Sequence, residues 1–293
     1  LTGEGRYADM MERALYNGFL VGVSLSGDRF FYQNVLKAFG RYERFDWINV
    51  PCCPPNIIRL LATLGSYVYA RSGGDVYINL FVGSEAQIDI AGGTVGLVQE
   101  TLYPWSGNVR LTVRPDEARE FGLLVRVPGW ARGEAMPGGL YRFVDEDGGT
   151  VRISVNGGAV APAPRNGYAV IRRTWLPGDV VEIDLPMPPR RVAARDEVRE
   201  NRDRIALSRG PLVYCVEEPD NGGEALNLYL PDGAKLSDSF RSDLLGGLAT
   251  ITAPGAALRP GQKAGATASD PRTLAAVPYF AWANRGLAEM AVW

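Results

Sequence analysis

The hydrophobic period of this chain changes once, near residue 75, and that change restricts the folds open to it. Before it, the spacing is helical. Tyr7, Met10, Met11, Ala14, Leu15 and Gly18 fall on one face of a 3.6-residue period, which predicts a helix over 6–20 with Asn17-Gly18 as its end signal. A second helix is predicted over 54–70. Ile57, Leu60, Leu61, Leu64 and Val68 share a face, and Pro54-Pro55 suit its opening, where a missing N–H is harmless. Gly73-Gly74 closes this part.

After residue 75 the period is two. Strand-like runs cover 76–82, 87–90, 94–101, 109–113, 121–127, 151–155, 168–173 and 180–185. Gly92-Gly93, Ser106-Gly107-Asn108, Asn156-Gly157-Gly158 and Pro177-Gly178-Asp179 separate them. Short strands at this spacing predict an antiparallel sandwich. Pro186-Met187-Pro188-Pro189 breaks the pattern, and the charged run from Arg195 to Arg204 marks a boundary. Strands resume at 205–207, 212–216, 226–230 and 248–251. The Gly-, Ala- and Pro-rich stretch 254–271 reads as a loop, and 277–282 and 289–293 return to strand-like composition. The expected organisation is a helical piece over 1–74, one β-sandwich over 75–196 and a second over 197–293. Two helices cannot enclose a core alone, so they must pack on the sandwiches or on chain beyond these residues.

Composition removes several chemistries. The 293 residues contain no histidine. A Ser-His-Asp or Cys-His triad, an HExxH zinc site and an imidazole base are therefore excluded. Acid/base work falls to Glu, Asp, Tyr, Lys or Cys. A formal net charge of −2 argues against an electrostatic nucleic-acid binder. No apolar run approaches the roughly 20 residues of a membrane-spanning helix, and no signal peptide is visible. The chain opens at Leu1 and stops within the apolar run Met290–Trp293, so it is expected to be part of a longer one.

The candidate centre is Cys52-Cys53-Pro54-Pro55-Asn56, at the start of the second predicted helix. Thiols there feel the positive end of the helix dipole and free N–H groups, which favour the thiolate that binds metal or attacks carbon. Adjacent cysteines can be two ligands of one zinc, but zinc takes about four. Cys215, in a later strand, is best read as a small buried apolar residue, and the adjacent pair is open to the same reading. The aromatics Phe30, Phe31, Tyr32, Tyr42, Phe45, Trp47, Tyr103, Trp105 and Trp130 could stack on sugar rings, though packing roles are the commoner use. Glu43, Asp46, Glu85 and Glu100 are expected at the surface.

Taken together, these motifs resemble glycoside hydrolase family 127, the β-L-arabinofuranosidases and their relatives. The resemblance rests on Arg6–Asp9, Glu12–Gly18, Asp28–Tyr32, Cys52–Asn56, Asn79–Glu85, Gln99–Thr101 with Tyr103-Pro104-Trp105, Val127–Ala131, Arg209–Tyr214 and Pro278–Gly286. It runs in order along essentially the whole chain. It implies a mainly β chain: two β-sandwich domains following the last helices of a truncated (α/α)6 barrel. It also implies a retaining hydrolase acting on an arabinofuranoside or related sugar, with Zn2+ as cofactor. Cys52 would be nucleophile and zinc ligand, Cys53 a second ligand, and Tyr32 a residue near the sugar. The family's Glu-x-Cys ligand pair and acid/base Glu are expected upstream of Leu1, because no Glu-x-Cys occurs here. By itself the chain is therefore expected to be inactive. Two other readings remain open: a carbohydrate-binding module using the aromatics, and a structural module whose sandwiches brace the barrel and form a homodimer. No nucleic-acid or membrane partner is expected, and thiolate ligation of zinc suits a reducing, cytoplasmic compartment.

Overall fold

The computed structural model of the chain describes residues 2–47, 49–146, 148–260 and 267–293. It is mainly β, as expected, with sheets following a short helical start. The chain gathers into two compact units. One comprises Leu1–Glu12, Arg59–Gly139 and Glu146–Met187; the other comprises Arg13–Ile58, Leu140–Asp145 and Pro188–Trp293. The first 74 residues thus contribute to both.

The first unit is a two-sheet sandwich. Its six-stranded antiparallel sheet runs in the order Gly158–Val160, Arg152–Val155, Asp179–Asp184, Asn108–Pro115, Gly93–Thr101, Ser84–Ile90. Alternation decides what faces inward: Val109, Leu111 and Val113 are buried, whereas Arg110 and Arg114 are exposed. The five-stranded sheet runs Ala163–Arg165, Tyr168–Trp175, Arg119–Arg126, Asp75–Ile78, Tyr69–Ser72. Asp75–Ile78 lies parallel to Arg119–Arg126, the others antiparallel. By register Val76, Ile78, Phe121, Leu123, Val125, Ile171 and Trp175 share one face, and all are buried.

On the other face of Arg119–Arg126, Leu124 and Arg126 are buried, and Arg126 is bonded to helix α1, Gly5–Arg13. The expected apolar face of this helix is not its buried face. Gly5, Ala8, Asp9 and Glu12 are buried, while Tyr7 and Met10 are 54% and 43% exposed. The carboxylates turn inward because Arg126 waits for them. Its guanidinium, fully buried, donates to Asp9 Oδ1 at 2.7 Å and to both oxygens of Glu12. Tyr103 donates its hydroxyl to Glu12 at 2.6 Å, Trp130 its indole N–H at 3.4 Å, and Arg132 pairs with Asp9 at 3.2 Å. Burial alone would lower the Arg126 pKa; the charges of Glu12 and Asp9 more than offset this and raise it. Gly5 allows the close approach at the other end. It donates its N–H to Asn166 O at 2.7 Å, and a Cβ there would meet that oxygen at 3.1 Å.

The second unit is built on a ten-stranded sheet. Its path is Leu228–Tyr229, Leu248–Pro260, Thr267–Pro278, Leu212–Glu217, Ala206–Arg209, Pro189–Ala194, Tyr141–Phe143. Glu289–Ala291 branches from Leu212–Glu217 and pairs with Lys37–Phe39. The helical start also continues here. Ala14–Phe19 is a π-helical segment and Leu20–Gly22 a 3-10 turn. Asn17, expected as an end signal, is used for tertiary bonding instead: it donates to Arg13 O and Pro211 O and accepts from Val213 N–H.

Three further expectations are corrected. The helix predicted over 54–70 ends at Thr63 (α2, Pro54–Thr63); a short turn at Gly65–Val68 follows, and Tyr69–Ser72 is a strand. The described part of 254–271 is a β-ribbon, with Pro254 opposite Thr273 and Ala256 opposite Pro271. Its prolines are tolerated by position. Leu258 donates its N–H toward Asn227, so residue 254 would donate to that same side, and there it falls between the partners of Ser237–Arg241 and Leu228–Tyr229. Residues 277–282 are not one strand, because a 3-10 turn begins at Tyr279.

Two outcomes follow from the buried cluster. Arg126→Met should lower unfolding free energy by about 3–5 kcal/mol, because Asp9 and Glu12 would stay buried without their cation; a loss under about 1 kcal/mol in denaturant titration would contradict the ledger of charges given above. Tyr168 donates to Asn79 beside this cluster, and burial raises its pKa to about 12. Unfolded, it ionises near about 10. The native state therefore holds this proton longer, so stability falls as pH rises from 10 to 12. Tyr168→Phe should make that fall shallower; an unchanged slope would refute the assignment.

Candidate active site

The second unit carries the cysteine pair at the end of a long irregular run. Between Gly22 and Cys53 the chain forms little regular structure, so side chains fix its course. Phe30 bridges Val23 and Phe45. Phe31 is buried in a three-ring cluster with Tyr42 and Trp282, whose ring centroids lie 5.0 and 5.1 Å from its own and 6.1 Å from each other. Arg44 sits over the Phe31 ring at 4.2 Å. Its guanidinium donates to Val21 O at 2.9 Å, Trp282 O at 2.7 Å, Ala283 O at 3.2 Å and Phe280 O at 3.4 Å. Burial lowers its pKa to about 10, with Glu217 opposing the shift.

The pair itself opens α2. Cys53 O accepts from Asn56 N at 3.0 Å and Ile57 N at 3.2 Å, which starts the helix. Asn56 Nδ2 donates to Cys52 O at 2.7 Å. The two sulfurs lie 3.6 Å apart, with Cys52 exposed and Cys53 half-buried. The free N–H groups expected around the sulfurs are scarce. Pro54 and Pro55 have no N–H, and the N–H groups of Asn56 and Ile57 are already bonded to Cys53 O. The helix start therefore offers the sulfurs fewer donors than a proline-free start would. The Cys53 thiol is instead held above its usual pKa, first by its hydrogen bond with Cys52, then by burial and by the neighbouring sulfur's charge.

A metal ion fits this donor set in part. Two sulfurs about 2.3 Å from a tetrahedral zinc lie about 3.7 Å apart, close to the separation here. Among the described residues no group of three or more Cys, Asp or Glu gathers as a metal site. The described residues thus bring two sulfurs together.

Tyr32 is 50% exposed and makes no hydrogen bond with either cysteine among the described residues. Cys215 is buried, and burial pushes its thiol pKa well up, in keeping with a packing role. Phe30, Phe31, Tyr103 and Trp130 are buried, whereas Phe45 and Trp47 are exposed. Glu43, Asp46, Glu85 and Glu100 are exposed, and Asp46 pairs with Arg29 at 3.1 Å. Sequence reasoning missed Arg44 and Gly22. Neither carries a period signal, since both sit in the irregular run. It also missed Asp9 and Glu12, whose three-residue spacing on one helix face was the available sign.

These environments predict the thiol chemistry. A thiol reagent should modify Cys52 and Cys53 in the native chain and Cys215 only after unfolding. Equal native rates for all three would contradict the burial of Cys215.

Three comparisons bear on the same residues. Family models described as the "Beta-L-arabinofuranosidase, GH127 catalytic domain", the "GH127 middle domain" and the "Glycoside hydrolase family 127 C-terminal domain" match residues 1–66, 75–187 and 189–293. The chain is 34% identical over 323 aligned residues to a non-reducing end β-L-arabinofuranosidase of Bifidobacterium longum subsp. longum, covering 100% of this chain and 46% of that one. Among solved structures it matches a family 127 β-arabinofuranosidase with a TM-score of 0.96 at 39% identity. It also matches a family 127 β-L-arabinofuranosidase from Geobacillus stearothermophilus T6 with a TM-score of 0.89 at 40% identity. Each match covers 100% of this chain and 46% of the other. The chain therefore spans about half the length of these relatives. Family models following one another along nearly every residue, over sheets that superpose on solved members, place the chain in glycoside hydrolase family 127.

Proposed function

We propose that this chain supplies the nucleophile of a retaining glycoside hydrolase that releases β-L-arabinofuranosyl residues, with Cys52 as that nucleophile. The observation that carries the reading is the pair of thiols 3.6 Å apart at the start of α2, in a chain of this family. With no histidine in the chain, sulfur is the strongest nucleophile it offers.

Cys52 and Cys53 would hold a zinc ion as two of its ligands. When bound, the ion supplies the positive charge that keeps both sulfurs as thiolates. The remaining steps belong to side chains. Cys52 Sγ attacks the anomeric carbon; the S–C bond forms as the C–O bond to the leaving group breaks. A carboxylic acid gives its proton to the departing oxygen. The resulting carboxylate then takes a proton from water, whose oxygen attacks the same carbon, and the S–C bond breaks. Two displacements at one carbon retain its configuration. Tyr32, half-exposed beyond the Phe31 stack, is assigned to the sugar. The acid/base glutamate and the Glu-x-Cys ligands implied by the resemblance have no counterpart among these residues. Turnover is therefore assigned to the full enzyme and not to this chain alone.

In the full enzyme, Cys52→Ala should reduce hydrolysis of a chromogenic β-L-arabinofuranoside by more than about a thousandfold, the scale on which loss of a nucleophile acts. Cys53→Ser should lower the zinc content measured by metal analysis. Substantial turnover by Cys52→Ala would overturn the role of that sulfur; full zinc content in Cys53→Ser would overturn the ligand assignment.

A further inference from the structure

Cys52 is exposed and Cys53 half-buried, and the helix turn that presents them packs on Gly22. Gly22 is buried at the end of the 3-10 turn Leu20–Gly22. A Cβ placed on it would lie 2.8 Å from Ile57 Cδ1, closer than such contacts allow. Ile57 is 8% exposed and belongs to the first turn of α2. Its N–H donates to Cys53 O at 3.2 Å. The backbone of Gly22 is fixed on its other sides. Its carbonyl accepts from Phe31 N at 2.9 Å, and its neighbour Val21 gives its carbonyl to Arg44 at 2.9 Å. Arg44 in turn is held by the carbonyls of Trp282 and Ala283. A continuous line of contacts therefore runs from the turn at 279–283, through Arg44 and Val21, to Gly22, Ile57 and Cys53.

We propose that Gly22 is a positioning residue for the Cys52–Cys53 pair: its missing side chain makes the seat into which Ile57 fits, and that seat sets the first turn of α2 and the separation of the two sulfurs. The inference rests on the reading of the pair as the reactive centre. A methyl group at position 22 would push the tip of Ile57 aside, and whatever part of that shift the side chain does not absorb by turning reaches the peptide group that Ile57 N–H holds at Cys53. Residues that orient metal ligands without touching the ion typically change affinity by about 10–100-fold when altered. An effect at the lower end of that range is expected here, because Ile57 can partly turn away.

The test uses the full enzyme, with two probes. Phenylarsine oxide joins two neighbouring thiols, forming two As–S bonds and releasing one water, and so reads sulfur separation without any metal. Co2+ reads ligation through its sulfur-to-metal absorption. Gly22→Ala should weaken both by about tenfold. Gly22→Ala combined with Ile57→Val, which deletes the atom that clashes, should restore most of the loss, while Ile57→Val alone should leave both near wild type. Unchanged affinities in Gly22→Ala, or a loss that Ile57→Val does not relieve, would overturn the proposal. If Gly22→Ala fails to fold, Ile57→Ala empties the same seat without adding an atom; it should weaken arsenical capture, and wild-type capture would overturn the proposal. A wild-type full enzyme that captures the arsenical but gives no cobalt–sulfur band, with Gly22→Ala still weaker, would remove the metal reading and leave the positioning role standing.

Discussion

The second unit depends on a guanidinium that, among the described residues, has no carboxylate bonded to it. Arg44 directs its donors at main-chain carbonyls from two stretches more than 230 residues apart in sequence, Val21 on one side and Phe280, Trp282 and Ala283 on the other. Carbonyl oxygens cost less to bury than a carboxylate, and one planar fork can satisfy several at once. The irregular run from Gly22 to Cys53 has no ladder of its own to hold it. With Arg44 in place, Phe31 can stack on Trp282, Tyr279 can donate to Val35 O at 2.7 Å, and Lys37–Phe39 can pair with Glu289–Ala291. The irregular run that leads to the cysteine pair is thus held largely by the C-terminal end of the chain.

The first unit uses the opposite device. Arg126 is buried with two carboxylates from one helix turn, and Tyr7 and Met10 of that helix are exposed. This inverts the reading of the sequence. A period of 3.6 shows that α1 is amphipathic but not which face is covered. Asp9 and Glu12 were as regularly spaced as Tyr7 and Met10. Only the partner, more than 110 residues away, decides between the two faces, and no local pattern contains it.

The same logic explains what else was legible. The alternation of 109–113 and 121–125 identifies core strands because each has one face or both in the interior. The pair at 52–53 is legible because its chemistry is local: two sulfurs before two prolines. Ser237–Arg241 escapes, since it is exposed at every position and so has no period to read. The ribbon over 248–260 and 267–278 escapes because Pro, Gly and Ala imitate a loop, and only the placement of Pro254 between two neighbouring strands makes it a strand. Gly22 escapes because a seat is defined by the residue that fills it. The order of motifs along the chain, by contrast, marks the family on its own.

These parts bear on one proposed centre: a sulfur pair at a helix start, with Gly22 against Ile57 of the same helix and Arg44 bonded to the carbonyl of Val21 beside Gly22. The central claim is that Cys52 bonds to the sugar during turnover. Its most direct test is mass spectrometry of the full enzyme, quenched with acid during turnover of a slow β-L-arabinofuranoside and then digested. The account predicts one added pentosyl residue on the peptide containing Cys52, lost from Cys52→Ala. The same addition found on an Asp or Glu peptide, with Cys52 unmodified, would contradict it.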